Sequence, residues 1–310
     1  MHLSLKDSTD LCSSSCLIWL PYHPVTNVVF FLGAIILGMF FIHPVFVVVS
    51  ILISISYLVT LKKAKAIKEL LYMLILFVLI SAINPIFNRM GATVLFRYFN
   101  RPYTLEALIY GMTLAGMAVS ILCWFACYNS IMTSDKLIYL FGRIIPAVSL
   151  VLSMILRLIP NFIRKTKQIS AARASIGMAG DSSSSKFEKI RNGTQTLSAL
   201  TNWALEGGII TADSMRSRGY GTGKRTNFAK YQFDARNIIL FSIFIILIAI
   251  TIFCAAKGST QAEFVPFFSM AWFGDFYMLL GIIVYGVFLV IPTVLELKEI
   301  IKWRILRSGT

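Results

Sequence analysis

Of 310 residues, 57% are hydrophobic and only 14% are charged, where a soluble domain carries about 25% charged residues. With a mean hydropathy of +0.76, this composition excludes an ordinary soluble domain and points to a bilayer as solvent. The formal charge of +15 does not require nucleic acid, because basic residues gather in the cytoplasmic loops of membrane proteins.

In chain order, Cys12 and Cys16 come first, too loosely spaced and without a His partner for a zinc site. No basic n-region or small-residue cleavage site precedes the first apolar run, so no secretory signal is expected. Runs without charge at 27–42 and 45–61 flank His43-Pro44. Proline breaks a helix there, which predicts a tight pair of short spans. Further spans are predicted at 70–87 and 108–132; Cys123 and Cys127 fall on one face of the latter as small packing residues. Residues 137–160 are apolar, but Arg143 and Arg157 stand close together and Pro146 and Pro160 interrupt the pattern. An arginine at mid-bilayer costs about 2.5–3.5 kcal/mol, so this segment is predicted to be an amphipathic helix at the cytoplasmic interface.

A helix continuing past Pro160 is predicted over 161–178, with Arg164, Lys165, Lys167 and Arg173, and the serine run over 181–185 is a hinge or the start of the next helix. Residues 186–218 form a second long helix with Phe187, Ile190, Leu197, Leu200 and Ala204 on one apolar face. Gly219, Gly221 and Gly223 end it. The last spans are 238–256, with Cys254, and 276–295.

Orientation follows from the basic residues between spans. Lys62, Lys63, Lys65 and Lys68 follow the second span, and Lys298, Lys302, Arg304 and Arg307 follow the sixth. Residues 132–236 hold 16 of the 29 Lys+Arg but 6 of the 14 Asp+Glu. Six spans put these three regions on one side, the cytoplasm, with both termini. The mild exception is the link with Arg89, Arg97 and Arg101. The fold class expected is all-α: a polytopic membrane protein with about six transmembrane helices and long cytoplasmic helices. Residues 1–132 form an N-terminal membrane region, 133–236 a cytoplasmic helical region and 237–310 a C-terminal membrane region.

Nothing in the chain predicts catalysis. His2, His23 and His43 face no carboxylate within a span, and Glu106, Asp275 and Glu296 are expected as solvated residues at span ends. A membrane enzyme needs paired His, Asp or Glu inside the membrane layer. The run from Gly219 to Lys224 lacks the spacing of a phosphate-binding loop and follows a helix, not a strand. No metal ligands, cofactor or ATPase of its own are expected. Ion conduction also lacks support, since the spans hold mainly Ser, Gly and Asn84, for which packing is the simpler role.

Two motifs remain, Ala172-Arg173-Ala174 and Ser217-Arg218-Gly219, each one arginine between small residues late in a long helix. Small neighbours leave a guanidinium clear to enter a groove and bind a partner carboxylate bidentately; a solvated arginine is the plainer alternative. The run Thr211-Ala212-Asp213-Ser214-Met215-Arg216-Ser217-Arg218-Gly219-Tyr220-Gly221 resembles the second coupling signature of the transmembrane T components of energy-coupling-factor (ECF) transporters, the EcfT/CbiQ family. Pro146 through Leu156-Arg157-Leu158-Ile159-Pro160 is similar to a proline-to-proline stretch of that family, and Ala172-Arg173-Ala174 sits where its first motif would be. His23-Pro24-Val25-Thr26-Asn27 resembles its N-terminal opening. Ala174 stands in place of the usual glycine and Ser217 in place of the common alanine. His23 and Asn27 replace an aspartate and a lysine, so no role is carried to them.

The resemblance implies a non-catalytic scaffold in the cell membrane. It would join two cytoplasmic ABC-type ATPases, which bind the ATP, to a separate membrane-embedded substrate-binding S component for uptake of a vitamin or metal ion. Arg173 and Arg218 would each dock one ATPase, with Arg216, Tyr220 and Arg157 in secondary roles. The bilayer is the other partner, and nucleic acid is not. The alternatives are an ABC permease domain with its own pathway, a membrane enzyme, or a basic membrane anchor.

Overall fold

The computed structural model describes residues 23–88, 93–98, 101–177, 186–220, 222–223, 234–258 and 276–308. Helices α1 (Pro24–Phe40) and α2 (Pro44–Lys62) begin alike, at His23-Pro24-Val25 and His43-Pro44-Val45. Each proline occupies the first turn, where its missing N–H leaves no bond unmade. The histidine before it accepts the valine N–H through Nδ1 at 3.3 Å. At 17 residues, α1 rises roughly 25 Å, against about 30 Å of hydrocarbon. The span predicted at 27–42 is therefore corrected to a shorter apolar helix, ending before His43-Pro44.

Helix α3 (Ala64–Phe87) follows a turn at Lys63, whose φ of 48° lies in the left-handed region. Lys62 bridges that turn to Glu69 at 2.8 Å. Beyond α3 lies a hairpin that the sequence analysis did not anticipate. Strand β1 (Val94–Tyr98) pairs antiparallel with β2 (Arg101–Thr104), which leads into α4 (Leu105–Ile131). Val94, Phe96, Tyr98 and Tyr103 are strand-forming residue types. The Glu106 carboxylate, in the first turn of α4, accepts the Thr93 N–H at 3.2 and 3.3 Å and the Thr93 hydroxyl. It is buried, not solvated as expected. A helix N-terminus favours a carboxylate there, and these bonds replace water.

Helices α8 (Ala235–Ala256) and α9 (Phe276–Ser308) complete this unit. Helix α4 packs on α1, α2 and α3, while α9 packs on α8 and α2. At their meeting point Phe30 lies within 5.6 Å, ring centre to ring centre, of Phe31, Trp124, Phe244 and Phe288. The Trp124 indole N–H donates to the Ser50 hydroxyl at 3.2 Å. Lipid is as apolar as these side chains, so close van der Waals packing between helices holds such a bundle. Glycine permits it: a Cβ on Gly116 would lie 2.7 Å from Val47 Cγ1, and one on Gly111 would lie 2.9 Å from Asn84 Cβ. Cys123, Cys127 and Cys254 are buried as free thiols. Glu296 is also buried, which corrects its expected solvation; it lies close to Tyr57, coupled to that hydroxyl electrostatically. Asp275 falls outside the described residues.

Outward from this core, α3 exposes Tyr72, Leu74, Val78 and Phe87, and α8 exposes Ile239, Ile246 and Phe253. Apolar surface on that scale fits lipid contact. Among the described residues the structure is helical apart from the one hairpin, and six helices are long and apolar enough to cross a membrane. The chain is a polytopic, all-α membrane protein. The six are not the six expected. Residues Ala147–Ser175 qualify, and α1 does not.

The chain divides into two units, Met1–Lys136 with Tyr231–Thr310 and Leu137–Lys230. The division falls inside α5 (Ser134–Ile144), which is followed by α6 (Pro146–Ser175) and α7 (Lys186–Ser217). The single interfacial helix predicted at 137–160 is thus two helices, because Pro146 starts a new one. Helix α6 runs unbroken through Pro160, so the helix does continue past that proline as expected. The hinge or helix start expected at 181–185 lies outside the described residues.

Candidate functional site

The unit Leu137–Lys230 is built around α6 and α7, which pack on each other. Phe162 meets Trp203 edge to face with ring centres 5.8 Å apart, and Lys165 Nζ lies 5.5 Å over the same indole. Eleven residues further along α6, Arg173 reaches α7 eleven residues back from Trp203, at Asn192. These contacts define an antiparallel helix pair. The face of α7 that meets α6 therefore carries Asn192, Gln195, Thr196 and Trp203, at helical spacing. The expected apolar face is mostly turned away. Phe187, Ile190 and Leu197 are exposed, and Leu200 and Ala204 are half-buried.

Ala172, Arg173 and Ala174 lie in the last turn of α6, which ends at Ser175, two residues before Gly177 with φ 77°. Both alanines are exposed, but Arg173 is half-buried. Its Nη1 donates to the Asn192 carbonyl at 2.9 Å and to the Thr196 hydroxyl at 3.0 Å. Its Nη2 donates to Asn192 Oδ1 at 3.3 Å and to Gln195 Oε1. The Thr196 hydroxyl in turn donates to the Asn192 carbonyl at 2.9 Å. A guanidinium has five N–H donors, so four are spent inside the helix pair. The expectation of an arginine standing clear is corrected at this position.

Arg218 differs. The N–H of Tyr220 donates to the Met215 carbonyl at 3.1 Å and that of Gly219 to the Arg216 carbonyl at 3.0 Å. These are the two bonds of a Schellman C-cap, with Gly219 at φ 73° as the left-handed residue. Arg218 is the capping residue itself. Its side chain is exposed, as are Ser217, Arg216 and Tyr220, and its guanidinium has no hydrogen-bond partner among the described residues. A cation at a helix C-terminus is stabilised by the helix dipole, and a free guanidinium there can take a carboxylate in two parallel bonds. Gly221 lies outside the described residues.

The structure does not bring the two arginines together. From Asn192, where Arg173 is held, to Arg218 the length of α7 is roughly 39 Å at 1.5 Å per residue. Arg157, on α6, is exposed and touches neither motif through any hydrogen bond found among the described residues. The residues that sequence reasoning missed are Asn192, Gln195 and Thr196. Their spacing of three and four was a signal, but polar residues on a helix otherwise read as a solvated face. Among the described residues no group of three or more His, Cys, Asp or Glu converges as metal ligands would. Comparison with protein-family models and with curated protein sequences finds no match.

Proposed function

We propose that this chain is the transmembrane coupling subunit of an ECF-type ABC importer. In this reading it is not itself an enzyme. It passes the ATP-driven motion of two cytoplasmic ABC-type ATPases to a separate S component that captures a vitamin or a metal ion. Both termini lie in the cytoplasm of a cell membrane, the side favoured by the basic residues.

The observation that carries the reading is Arg218. It is an exposed guanidinium, without a hydrogen-bond partner among the described residues, held by a Schellman cap at the end of a 32-residue helix. Its surrounding residues, Thr211 through Gly221, also carry the resemblance. A rigid helix end with one projecting arginine fits docking into a groove on a partner. Conformational work done on that helix would be transmitted along its whole length, which is what a coupling element requires.

The test is copurification of ABC-type ATPases from the same organism with the full chain. Arg218→Glu puts a like charge against the partner's carboxylate and removes a desolvated pair, a loss of about 3–5 kcal/mol. That is enough to strip the ATPase from the complex on a column. Arg216→Glu, two residues before the cap, has a smaller effect. ATPase recovery undiminished by Arg218→Glu refutes the docking role.

A further inference from the structure

The coupling reading gives both arginines the same task, but their surroundings differ. Arg218 is ready to engage a carboxylate. Arg173 has four of its five donors committed to Asn192, Gln195 and Thr196. A bidentate bond to a partner needs at least one of those donors back, since only the Nε–H is left over. Arg173 cannot make a two-point bond to a partner and keep all four cradle bonds.

The acceptors in the cradle are a backbone carbonyl, a hydroxyl and two side-chain amides, all neutral. Among the described residues no carboxylate pairs with Arg173, and the one ion pair found is Lys62–Glu69. A carboxylate adds an opposite charge and a planar two-point match to the guanidinium fork, neither of which these neutral acceptors offer. A partner carboxylate therefore competes with the cradle on favourable terms. Whatever wins Arg173 also frees the last turn of α6 from α7. Phe162 and Lys165 still hold the pair together eleven residues away, at Trp203. The α6 end then has a fixed point about which to swing.

We propose that Asn192, Gln195 and Thr196 are positioning residues that park Arg173 against α7, so that docking at Arg173 and separation of the α6–α7 ends are a single event. This rests on the coupling reading and deepens it. The first arginine becomes a gated site and the second an open one. By linkage, anything that spreads the helix pair presents Arg173, and anything that binds Arg173 spreads the pair.

The gate predicts effects of opposite sign from two changes in the same cradle. Asn192→Ala with Gln195→Ala removes two acceptors and releases Arg173. Asn192→Asp supplies a carboxylate and locks it. The experiment uses the full chain in detergent with Arg218→Glu, so that the first site alone is read. Spin labels sit on cysteines at the exposed positions Ser170 and Ser198, with Cys12 and Cys16 changed to serine. The separation of the labels is measured alone and with purified ABC-type ATPase, whose affinity is titrated in parallel. The expected result is a longer label distance in the double alanine chain without ATPase, and ATPase affinity raised about tenfold. Asn192→Asp should shorten the distance and lower affinity by a similar factor, and Arg173→Lys, which keeps charge but loses the fork, should not restore the parked distance. A purely structural cradle would weaken binding in both variants, so changes of the same sign overturn the gate. A label distance identical in all chains overturns it too, while ATPase binding leaves the coupling reading standing. If the chain with Arg218 intact binds no ATPase, the coupling reading and the gate fall together.

Discussion

Replacing Gly219 by alanine tests how the second arginine is presented. Gly219 holds φ at 73°, and an L side chain there costs about 1–2 kcal/mol. Space is not the issue, since an added Cβ would meet only Thr222 Oγ1, at 3.4 Å. The penalty is therefore conformational and falls on the cap that fixes Arg218. If docking requires the capped helix end, ATPase affinity falls by roughly 5- to 30-fold, the same 1–2 kcal/mol expressed as an equilibrium. Gly219→Asn should fall in between, because asparagine tolerates the left-handed region better than alanine. Gly223→Ala is the control, since a Cβ there meets nothing within 4 Å and φ is not positive. The assay is a titration of purified ATPase against the chain, with amide hydrogen exchange at Ser217 to Tyr220 reporting the cap directly. Equal affinities for the Gly219 and Gly223 variants, or an unchanged exchange pattern in Gly219→Ala, would refute the reasoning.

Gly116→Ala should lower stability by about 1–3 kcal/mol through overpacking, because Val47 Cγ1 lies 2.7 Å from the new Cβ and Ile51 Cδ1 3.1 Å away; thermal unfolding in detergent reads it, and an unchanged midpoint contradicts the packing argument. Burial holds the His43 imidazole below its ordinary value of 6.5, and its Nδ1 caps α2 only when that nitrogen is unprotonated. Because the folded value is the depressed one, stability is full above pH 6.5 and declines as pH falls through the folded value; His43→Asn, which keeps a cap, should flatten that part of the pH profile. Asn27 is fully buried, with neither its amide nitrogen nor its oxygen bonded among the described residues. Asn27→Leu should therefore raise stability by about 1–3 kcal/mol, and a lower unfolding midpoint would count against that account.

Long apolar runs were legible because the bilayer imposes a simple rule, about 20 residues without charge. Helices α2, α3, α4, α8 and α9 all follow it. The rule fails where a segment meets protein more than lipid. Helix α1 is apolar because it is central, packing Phe30 and Phe31 into the aromatic cluster, so its composition imitated a span its length does not support. Glu106 was misread because burial of a carboxylate depends on a residue thirteen positions away, Thr93, in a hairpin with no strong pattern of its own. For α6, Pro160 interrupts the apolar pattern without ending the helix, because a proline can sit inside a helix when its neighbours absorb the lost bond. In the candidate site the sequence placed each arginine between small residues late in a long helix, and the helix ends lie there. The cradle was not legible, because it joins residues 173 and 192–196 across two helices.

The two arginines show why similar local sequence gives different surroundings. Each follows a small residue and precedes another, and each lies at the end of a long helix. Their difference comes from the register of the helix pair, set by Phe162 against Trp203. Counted from that contact, Arg173 falls beside the polar turn at Asn192 to Thr196, so the partner helix supplies acceptors along its flank. Counted the other way by the same register, Arg218 corresponds to position 147, within the first turn of α6, which starts at Pro146. At that end no further turn of α6 remains to hold a guanidinium. A different register would take Arg173 away from Asn192 without altering either motif. The packing of Trp203 therefore decides that Arg173 is held by the partner helix and that Arg218 is not, although Trp203 belongs to neither motif.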